Sequence, residues 1–151
     1  MEQAEELRYL ILAVQREGNR QITEALRLLK LTPSQAEVIE VLQQYQPITL
    51  LQLGERLVCE SGSPSRLVTS MVEAGWVEKL PNPDDGRAVL LRLTPKAVSI
   101  LPELNAIETR FNQSIADRLS GETIRQLVEL LWVHAFETES GQALLRRKQG
   151  R

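Results

Sequence analysis

The sequence of 151 residues is 42% hydrophobic and only 4% aromatic, so aliphatic side chains must form most of the core. This length allows one domain, or one domain plus long helices that pack on a partner. A formal net charge of −2 argues against a protein that coats nucleic acid by charge alone, but a few well-placed arginines can still hold phosphates. The apolar runs near the N-terminus are too short for a signal peptide or a membrane span, so we expect a soluble cytoplasmic protein without membrane contact.

Two helices are predicted in the first third of the sequence. Apolar residues recur at helical spacing over 7–30, which predicts a long first helix with Gly18 weakening its middle. Thr32 precedes a proline, and Gln35 stands where a capping box needs Glu or Gln. A second helix should therefore start here and run to about Gln44.

The central segment predicts two short helices joined by a turn. A minimal strand at 48–50 leads into a helix of about two turns, LLQLGERLV, and residues 59–62 are expected to form the turn. Ser63 and the proline after it repeat the helix-start signal, and Gly75 is the residue type favoured just past a helix C-terminus. The fourth helix, SPSRLVTSMVEAG, is predicted between these two signals.

Two antiparallel strands and two long helices follow. The strands are predicted at 76–80 and 88–93, and they are joined by the turn PNPDDGR. Thr94 and a proline start a fifth helix with one apolar stripe, and a break at 120–122 precedes a sixth helix that runs to about Phe136. The arginine-rich end of the sequence is expected to fray.

The fourth helix is predicted to present a small polar face. Its apolar residues fall on one side and must pack inward, namely Leu67, Val68, Met71 and Val72. The outer side then carries Ser65, Arg66, Thr69 and Ser70. A helix entering the major groove needs such a face, because bulky or acidic side chains would keep its backbone away from base edges. An ordinary solvated face is the alternative, although more Glu and Lys would be expected there.

Two short helices, a tight turn and a two-stranded hairpin form a winged helix-turn-helix. Within it, AGWVEK precedes the turn, and Asp85-Gly86-Arg87 leads through LLRLT into Pro95-Lys96-Ala97. With these motifs in this order, nearly the whole chain resembles the MarR family of bacterial transcriptional regulators. The resemblance implies a mainly α fold with a small β-hairpin wing, built from a winged helix-turn-helix and N- and C-terminal dimerisation helices. The implied divisions are 1–31 and 95–138 for the dimerisation helices, 32–94 for the DNA-binding domain, and 139–151 for a flexible tail.

The resemblance also implies a homodimer that binds a pseudo-palindromic operator of double-stranded DNA, usually as a repressor. A small lipophilic or phenolic effector would release the DNA, and no cofactor is implied. Carried onto this sequence, the recognition helix supplies Ser63, Ser65, Arg66, Thr69 and Ser70, and the wing supplies Asp85, Gly86 and Arg87. Arg87 would enter the minor groove, where the negative potential favours a guanidinium, and Asp85 would hold its side chain by a charge-assisted hydrogen bond. A purely intramolecular pair, worth about 0 to 1 kcal/mol, is the structural alternative.

The long helices outside the winged domain predict a partner and a ligand pocket. Apolar stripes on the first, fifth and sixth helices exceed what a core of this size can cover, which predicts dimerisation through them. A two-fold interface would place two recognition helices roughly 34 Å apart. In the MarR family the effector pocket lies between these helices and the winged core, so its candidate border residues are Val14, Trp76, Phe111 and Ile115.

Other chemistry has little support in the sequence. Cys59 lies in the turn of the motif and could sense oxidants, but Arg56 is the one cation near it in sequence, so an ordinary packed or partly exposed thiol is the alternative. His134 is the single histidine, and no zinc pattern, phosphate loop or nucleophile elbow occurs, so we expect neither a metal site nor an enzyme. A winged helix that binds another protein remains a competing function, since 49–96 holds six basic and six acidic residues.

Overall fold

A computed structural model describes residues 2–59 and 62–150 of the chain. Within these residues, seven α-helices and one three-stranded antiparallel sheet are present. The helices are α1 (Gln3–Leu26), α2 (Pro33–Tyr45), α3 (Leu50–Gly54), α4 (Pro64–Glu73), α5 (Pro95–Ala116), α6 (Gly121–Ala135) and α7 (Glu139–Gln149). The strands are β1 (Ile48–Thr49), β2 (Val77–Pro81) and β3 (Val89–Leu93). The predicted fold class, mainly helical with a small β wing, is confirmed.

The starts of the helices are fixed by side-chain caps. The Thr32 hydroxyl accepts a hydrogen bond from the Gln35 backbone N–H at 3.3 Å, and the Gln35 side chain accepts one from the Thr32 N–H at 3.0 Å. The same reciprocal pair, Thr49 with Gln52, starts α3. Ser63 accepts from a backbone N–H at the start of α4. Each cap satisfies an amide that the helix leaves unpaired and contributes about 1 kcal/mol.

The sheet carries the wing and joins it to the helix-turn-helix. β3 lies in the middle, antiparallel to both neighbours, and pairs with β2 along the full length of both strands. The two-residue strand β1 adds Ile48 opposite Leu91 on the other side of β3. A hairpin and a separate minimal strand were predicted. Their pairing into one sheet anchors the wing to the segment between α2 and α3.

A single core lies between α2, the helix-turn-helix, the sheet and the first half of α5. Its fully buried large side chains come from every one of these elements and from the end of α1. They are Leu26, Val38, Ile39, Val41, Leu42, Leu53, Met71, Val77, Leu91 and Leu104. Burying a side chain of this size stabilises the fold by about 1.5 to 3 kcal/mol, so this cluster fixes the orientation of α4 relative to the wing.

The first and third helices differ from their predicted extents. α1 continues through Gly18, which lies close to α5, so that an added Cβ would be 3.6 Å from the Phe111 ring. α1 then ends at Leu26, before a short 3-10 turn at Arg27–Leu29. α3 is five residues long instead of two full turns, because turns after Gly54 carry the chain back into the core. Of the predicted turn at 59–62, residues 60 and 61 lie outside the described residues.

The prediction of a flexible tail at 139–151 was wrong over 139–149, which form α7. Thr138 caps this helix by accepting a hydrogen bond from the Gly141 N–H at 3.0 Å. Ala143 is buried, and Arg147 forms ion pairs with two glutamates of α2. Contacts with residues far away in the sequence therefore hold α7 in place, although its own composition suggests a flexible segment.

Large apolar faces of α1 and α6 remain uncovered. Five aliphatic side chains of α1 and five of α6 are at least 42% exposed, which is unusual for residues of this size. They are Leu7, Leu10, Ile11, Leu12 and Val14 of α1, and Leu127, Val128, Leu130, Leu131 and Val133 of α6. The predicted stripe of α5 is different, because Leu104 and Ile107 are buried in the core and Ile115 is exposed. None of the described helices is long and apolar enough to cross a membrane.

Candidate nucleic-acid interface

α4 presents the polar face that the sequence predicts. Val68 and Met71 are buried, and Leu67 and Val72 are half-buried against the core. The opposite side is exposed and carries Ser65, Arg66, Thr69 and Ser70, with Glu73 on the same side in the last turn. The helix is thus anchored by its inner residues, and its outer face carries three small hydroxyl side chains, one arginine and one glutamate.

The hydroxyl groups on this face are already engaged as donors to the helix itself. Thr69 donates to the carbonyl of Ser65 at 2.9 Å, and Ser70 donates to the carbonyl of Leu67 at 2.8 Å. Their oxygens keep lone pairs that can accept hydrogen bonds from outside the protein. Arg66 therefore carries the strongest donors on the exposed face.

The end of α4 turns the chain directly into the wing. Gly75 has a φ of 77°, a left-handed conformation that favours glycine. The Trp76 N–H donates to the Met71 carbonyl at 2.8 Å, and the Gly75 N–H donates to the Val72 carbonyl at 3.0 Å. These two bonds form a Schellman motif, which closes the helix and fixes the direction in which β2 leaves it.

Residues of the LTPKA segment hold the base of the wing against the end of α4. Thr94 donates its hydroxyl to the Gly75 carbonyl at 2.6 Å, while it also caps α5. Lys96 donates to the Ala74 carbonyl at 2.7 Å, and its ammonium lies 4.0 Å from the centre of the Trp76 ring. This junction gives the AGW and LTPKA motifs a structural role, because it ties the recognition helix, the wing and α5 together.

The wing turn positions Arg87 through its backbone. Asp85 accepts a hydrogen bond from the Arg87 backbone N–H at 2.9 Å, and Asn82 accepts one from the Asp84 N–H at 3.0 Å. The expected hydrogen bond between the Asp85 carboxylate and the Arg87 guanidinium is absent among the described residues, so Asp85 orders the backbone instead. Gly86 is exposed between them, and open space surrounds the position of an added Cβ.

Half of the basic side chains in 49–96 are used inside the protein. Arg92 pairs with Glu78 across the wing strands, with N–O distances of 2.7 and 2.8 Å. Arg56 donates to a carbonyl of α3 and lies over the Tyr45 ring, and Lys96 bonds to the end of α4 as described above. These three cations already have partners inside the protein, so binding a phosphate would compete with an existing contact.

The remaining three basic residues of this segment are Arg66, Lys79 and Arg87. Among the described residues, none of their side chains makes a hydrogen bond or an ion pair with the protein, and all three are exposed. Arg66 lies on the outer face of α4, Lys79 on β2 and Arg87 at the end of the wing turn. Lys79 was missed from the sequence, although its outward place in the alternating strand was a usable signal. The domain therefore has balanced formal charge, but its unpaired cations belong to the recognition helix and the wing.

Cys59 has the environment of an unreactive thiol. The residue as a whole is exposed. Partial burial of its thiol and the nearby Glu37 carboxylate nevertheless raise the pKa of that thiol to about 11. A thiol with a raised pKa holds little thiolate at neutral pH, and thiolate is the reactive form. Its backbone N–H donates to Glu37 at 2.7 Å. This environment disfavours a redox-sensing role.

The four residues predicted to border an effector pocket lie in different surroundings. Trp76 is buried in the core beneath Lys96. Val14 is 71% exposed on α1, and Phe111 and Ile115 lie on the facing part of α5. One cleft on the described surface lies between α7 and the start of α4 and another lies between α2 and α5, and the four residues lie outside these two. His134 is exposed on α6, and the described residues contain no cluster of potential metal ligands.

Comparison with known proteins agrees with this geometry. The profile described as "Winged helix DNA-binding domain" matches residues 31–97. The multiple antibiotic resistance protein MarR of Escherichia coli strain K12 is 30% identical over 123 residues, which are 81% of this chain and 85% of that protein. The chain belongs to the MarR family. Family membership confirms the resemblance inferred from the wing motif and the order of elements.

Solved structures also match the fold. A cysteine-to-serine variant of Escherichia coli MarR complexed with operator DNA has a TM-score of 0.75 at 30% identity, over 83% of this chain and 90% of that one. The organohalide-sensing RdhR-CbdbA1625 transcriptional regulator in its 2,4-dichlorophenol-bound form has a TM-score of 0.82 at 23% identity, over 92% and 83%. The MarR fold thus extends over the long helices as well as the winged domain.

Proposed function

We propose that this MarR-family regulator represses transcription as a homodimer on a pseudo-palindromic operator and releases the DNA when a small effector binds. The observation that carries the proposal is the distribution of unpaired cations. Arg66, Lys79 and Arg87 lie on the recognition helix and the wing, whereas the other basic side chains of 49–96 are engaged internally. Guanidinium groups without an internal partner can reach base edges and phosphates without first breaking a bond.

The exposed apolar faces of α1 and α6 support the homodimer. A face of this size exposes more large aliphatic side chains than an isolated soluble domain normally does. A second copy of the chain would cover them and duplicate the recognition helix. We propose 1–31 and 95–138 as the dimerisation helices and 32–94 as the DNA-binding domain.

The effector is proposed to be a small lipophilic or phenolic molecule held between the dimerisation helices and the winged core. Val14, Phe111 and Ile115 lie on α1 and α5 and remain the candidate border residues. Trp76 is less suitable, because its ring is buried and already covered by Lys96. A non-enzymatic role in the cytoplasm completes the proposal, in keeping with relatives that are transcriptional regulators.

Two competing functions have weaker support. A winged helix that only binds protein would not require unpaired cations on both the recognition helix and the wing. A Cys59-based redox switch would require a reactive thiolate, and the raised pKa of this thiol opposes it.

Selection of operator fragments from the source genome tests the proposal. We expect the protein to enrich fragments with two half-sites whose centres lie about 10 base pairs apart, with two chains on each fragment. Arg66→Glu should abolish enrichment because it places a negative charge on the outer face of α4. Lys148→Glu changes the charge equally at an exposed position of α7, outside the dimerisation helices and the DNA-binding domain, and should leave enrichment intact. Enrichment of no fragment by a folded dimer, or equal loss in both variants, would contradict the proposal.

A further inference from the structure

Glu37 fixes the segment that leads from α3 to the recognition helix. Its carboxylate accepts hydrogen bonds from the backbone N–H groups of Val58 at 2.9 Å and Cys59 at 2.7 Å. The Ser34 hydroxyl also donates to the Cys59 carbonyl at 3.3 Å. α2 thereby holds the turn of the helix-turn-helix only a few residues before α4 begins.

This carboxylate needs a countercharge because it is buried. Glu37 is 5% exposed and is the single buried charged residue among the described residues. Glu40 lies one helical turn further along α2, and its pKa is raised to about 7 by burial and by the nearby Glu108 carboxylate of α5. Three carboxylates thus meet at this surface of α2, where unpaired negative charge would be strongly destabilising.

Arg147 of α7 supplies the countercharge. Its guanidinium donates to Glu37 at 2.9 Å and to Glu40 at 3.3 Å. The Tyr45 hydroxyl donates to the Arg147 carbonyl at 2.8 Å, so α2 contacts both the side chain and the backbone of this residue. Arg146 donates to the Glu55 carbonyl, just after α3, at 3.2 Å. α7 therefore spans both helices that precede the recognition helix.

We propose that α7 is a clamp that positions the recognition helix, with Arg147 acting through Glu37 on the turn at Val58 and Cys59. The proposal rests on the proposed DNA-binding function. Arg147 is a positioning residue, because it bonds to the carboxylate that orders the turn. Detachment of α7 removes the countercharge of Glu37, loosens the turn and lowers operator affinity. Any partner or modification that detaches α7 would then regulate DNA binding from outside the winged domain.

Amide hydrogen exchange measured by NMR on the full chain tests the clamp without DNA. In Arg147→Ala we expect the Val58 and Cys59 amides to exchange about tenfold faster or more. Removing Arg147 leaves the buried Glu37 carboxylate without a countercharge, which destabilises the segment that it holds. Lys148→Ala removes the same charge from α7 without touching Glu37 and should leave both amides unchanged. Arg147→Lys serves if the alanine variant does not fold, because it keeps the charge but loses the paired donors and should give an intermediate rate. Unchanged exchange in both Arg147 variants would overturn the proposal.

Operator affinity measured over a salt series gives the functional half of the test. A positioning residue predicts that Arg147→Ala weakens binding by a similar factor at every salt concentration, with the slope of log K against log salt unchanged. A direct phosphate contact by Arg147 would instead reduce the slope by about 1 and would overturn the proposal. If the wild-type protein binds no operator, the proposed function fails, while the exchange experiment still decides whether α7 orders the turn.

Discussion

Replacing Glu40 with glutamine should make the protein more stable at alkaline pH and flatten the pH dependence of its stability. Burial is the largest cause of the raised pKa of Glu40, and the Glu108 carboxylate is the next. Raising a carboxyl pKa from 4.5 to about 7 corresponds to about 3 kcal/mol. The side chain is 25% exposed, so solvent screens it only partly.

The sign follows from proton binding. The folded protein holds the Glu40 proton more tightly than the unfolded chain, so this group's contribution is fully present below pH 4.5 and is lost as pH rises through 7. Glu40→Gln removes that loss of stability. The substitution also weakens the 3.3 Å contact with Arg147, which lowers the stability of the variant by about 1 kcal/mol. We therefore expect the variant to exceed wild type by about 1 to 2 kcal/mol at pH 8 and to lose the excess near pH 5.

Urea denaturation followed by circular dichroism at pH 5 and pH 8 measures this difference. Protein concentration must be held constant, because the stability of a dimer depends on it. Glu103→Gln, at an exposed position of α5, is the matched control and should not alter the pH dependence. Parallel stability curves for Glu40→Gln and wild type between these two pH values would show that Glu40 does not cause the pH dependence.

Three further predictions concern the core, the dimer and the recognition helix. Met71→Ala leaves a cavity at a fully buried position and should lower the free energy of unfolding by about 2 to 5 kcal/mol in urea titrations. A loss below about 1 kcal/mol would contradict the packing described for α4. Val133→Glu places a charge on the uncovered face of α6 and should shift sedimentation from dimer to monomer, so an unchanged dimer would exclude this face from the interface. Arg66→Ala should reduce discrimination between operator and random DNA by about 1 to 3 kcal/mol in competition assays, and an unchanged ratio would remove Arg66 from base reading.

Sequence patterns predicted those parts of the fold that depend on residues close together in the chain. The Thr32 and Ser63 caps were predictable because cap and partner are three residues apart. The inward and outward faces of α4 follow from helical periodicity in the same way. α7 was not predictable on this basis, since Arg147 and Glu37 are separated by 110 residues.

The candidate site shows the same division. Arg66 and Arg87 were identified from helical spacing and from the wing motif, and both side chains lack an internal partner among the described residues. The link from Asp85 to the Arg87 backbone depends on the conformation of the turn, which composition does not specify. Trp76 is buried just before β2, and its place in the sequence does not distinguish a core residue from one at the border of a pocket.

The measurement that tests the DNA-binding account most directly is fluorescence anisotropy with a selected operator, comparing wild type, Arg87→Ala and Arg92→Ala over a salt series. Arg92 is the matched control because it lies in the same wing but is already paired with Glu78. We expect the wild-type protein to bind the operator tightly, selectively and with a strong dependence on salt concentration. Arg87→Ala should bind about 1 to 3 kcal/mol more weakly with a salt slope reduced by about 1, and Arg92→Ala should lose much less. Absence of selective binding by a folded dimer at low salt, or equal affinity of wild type and Arg87→Ala, would contradict it.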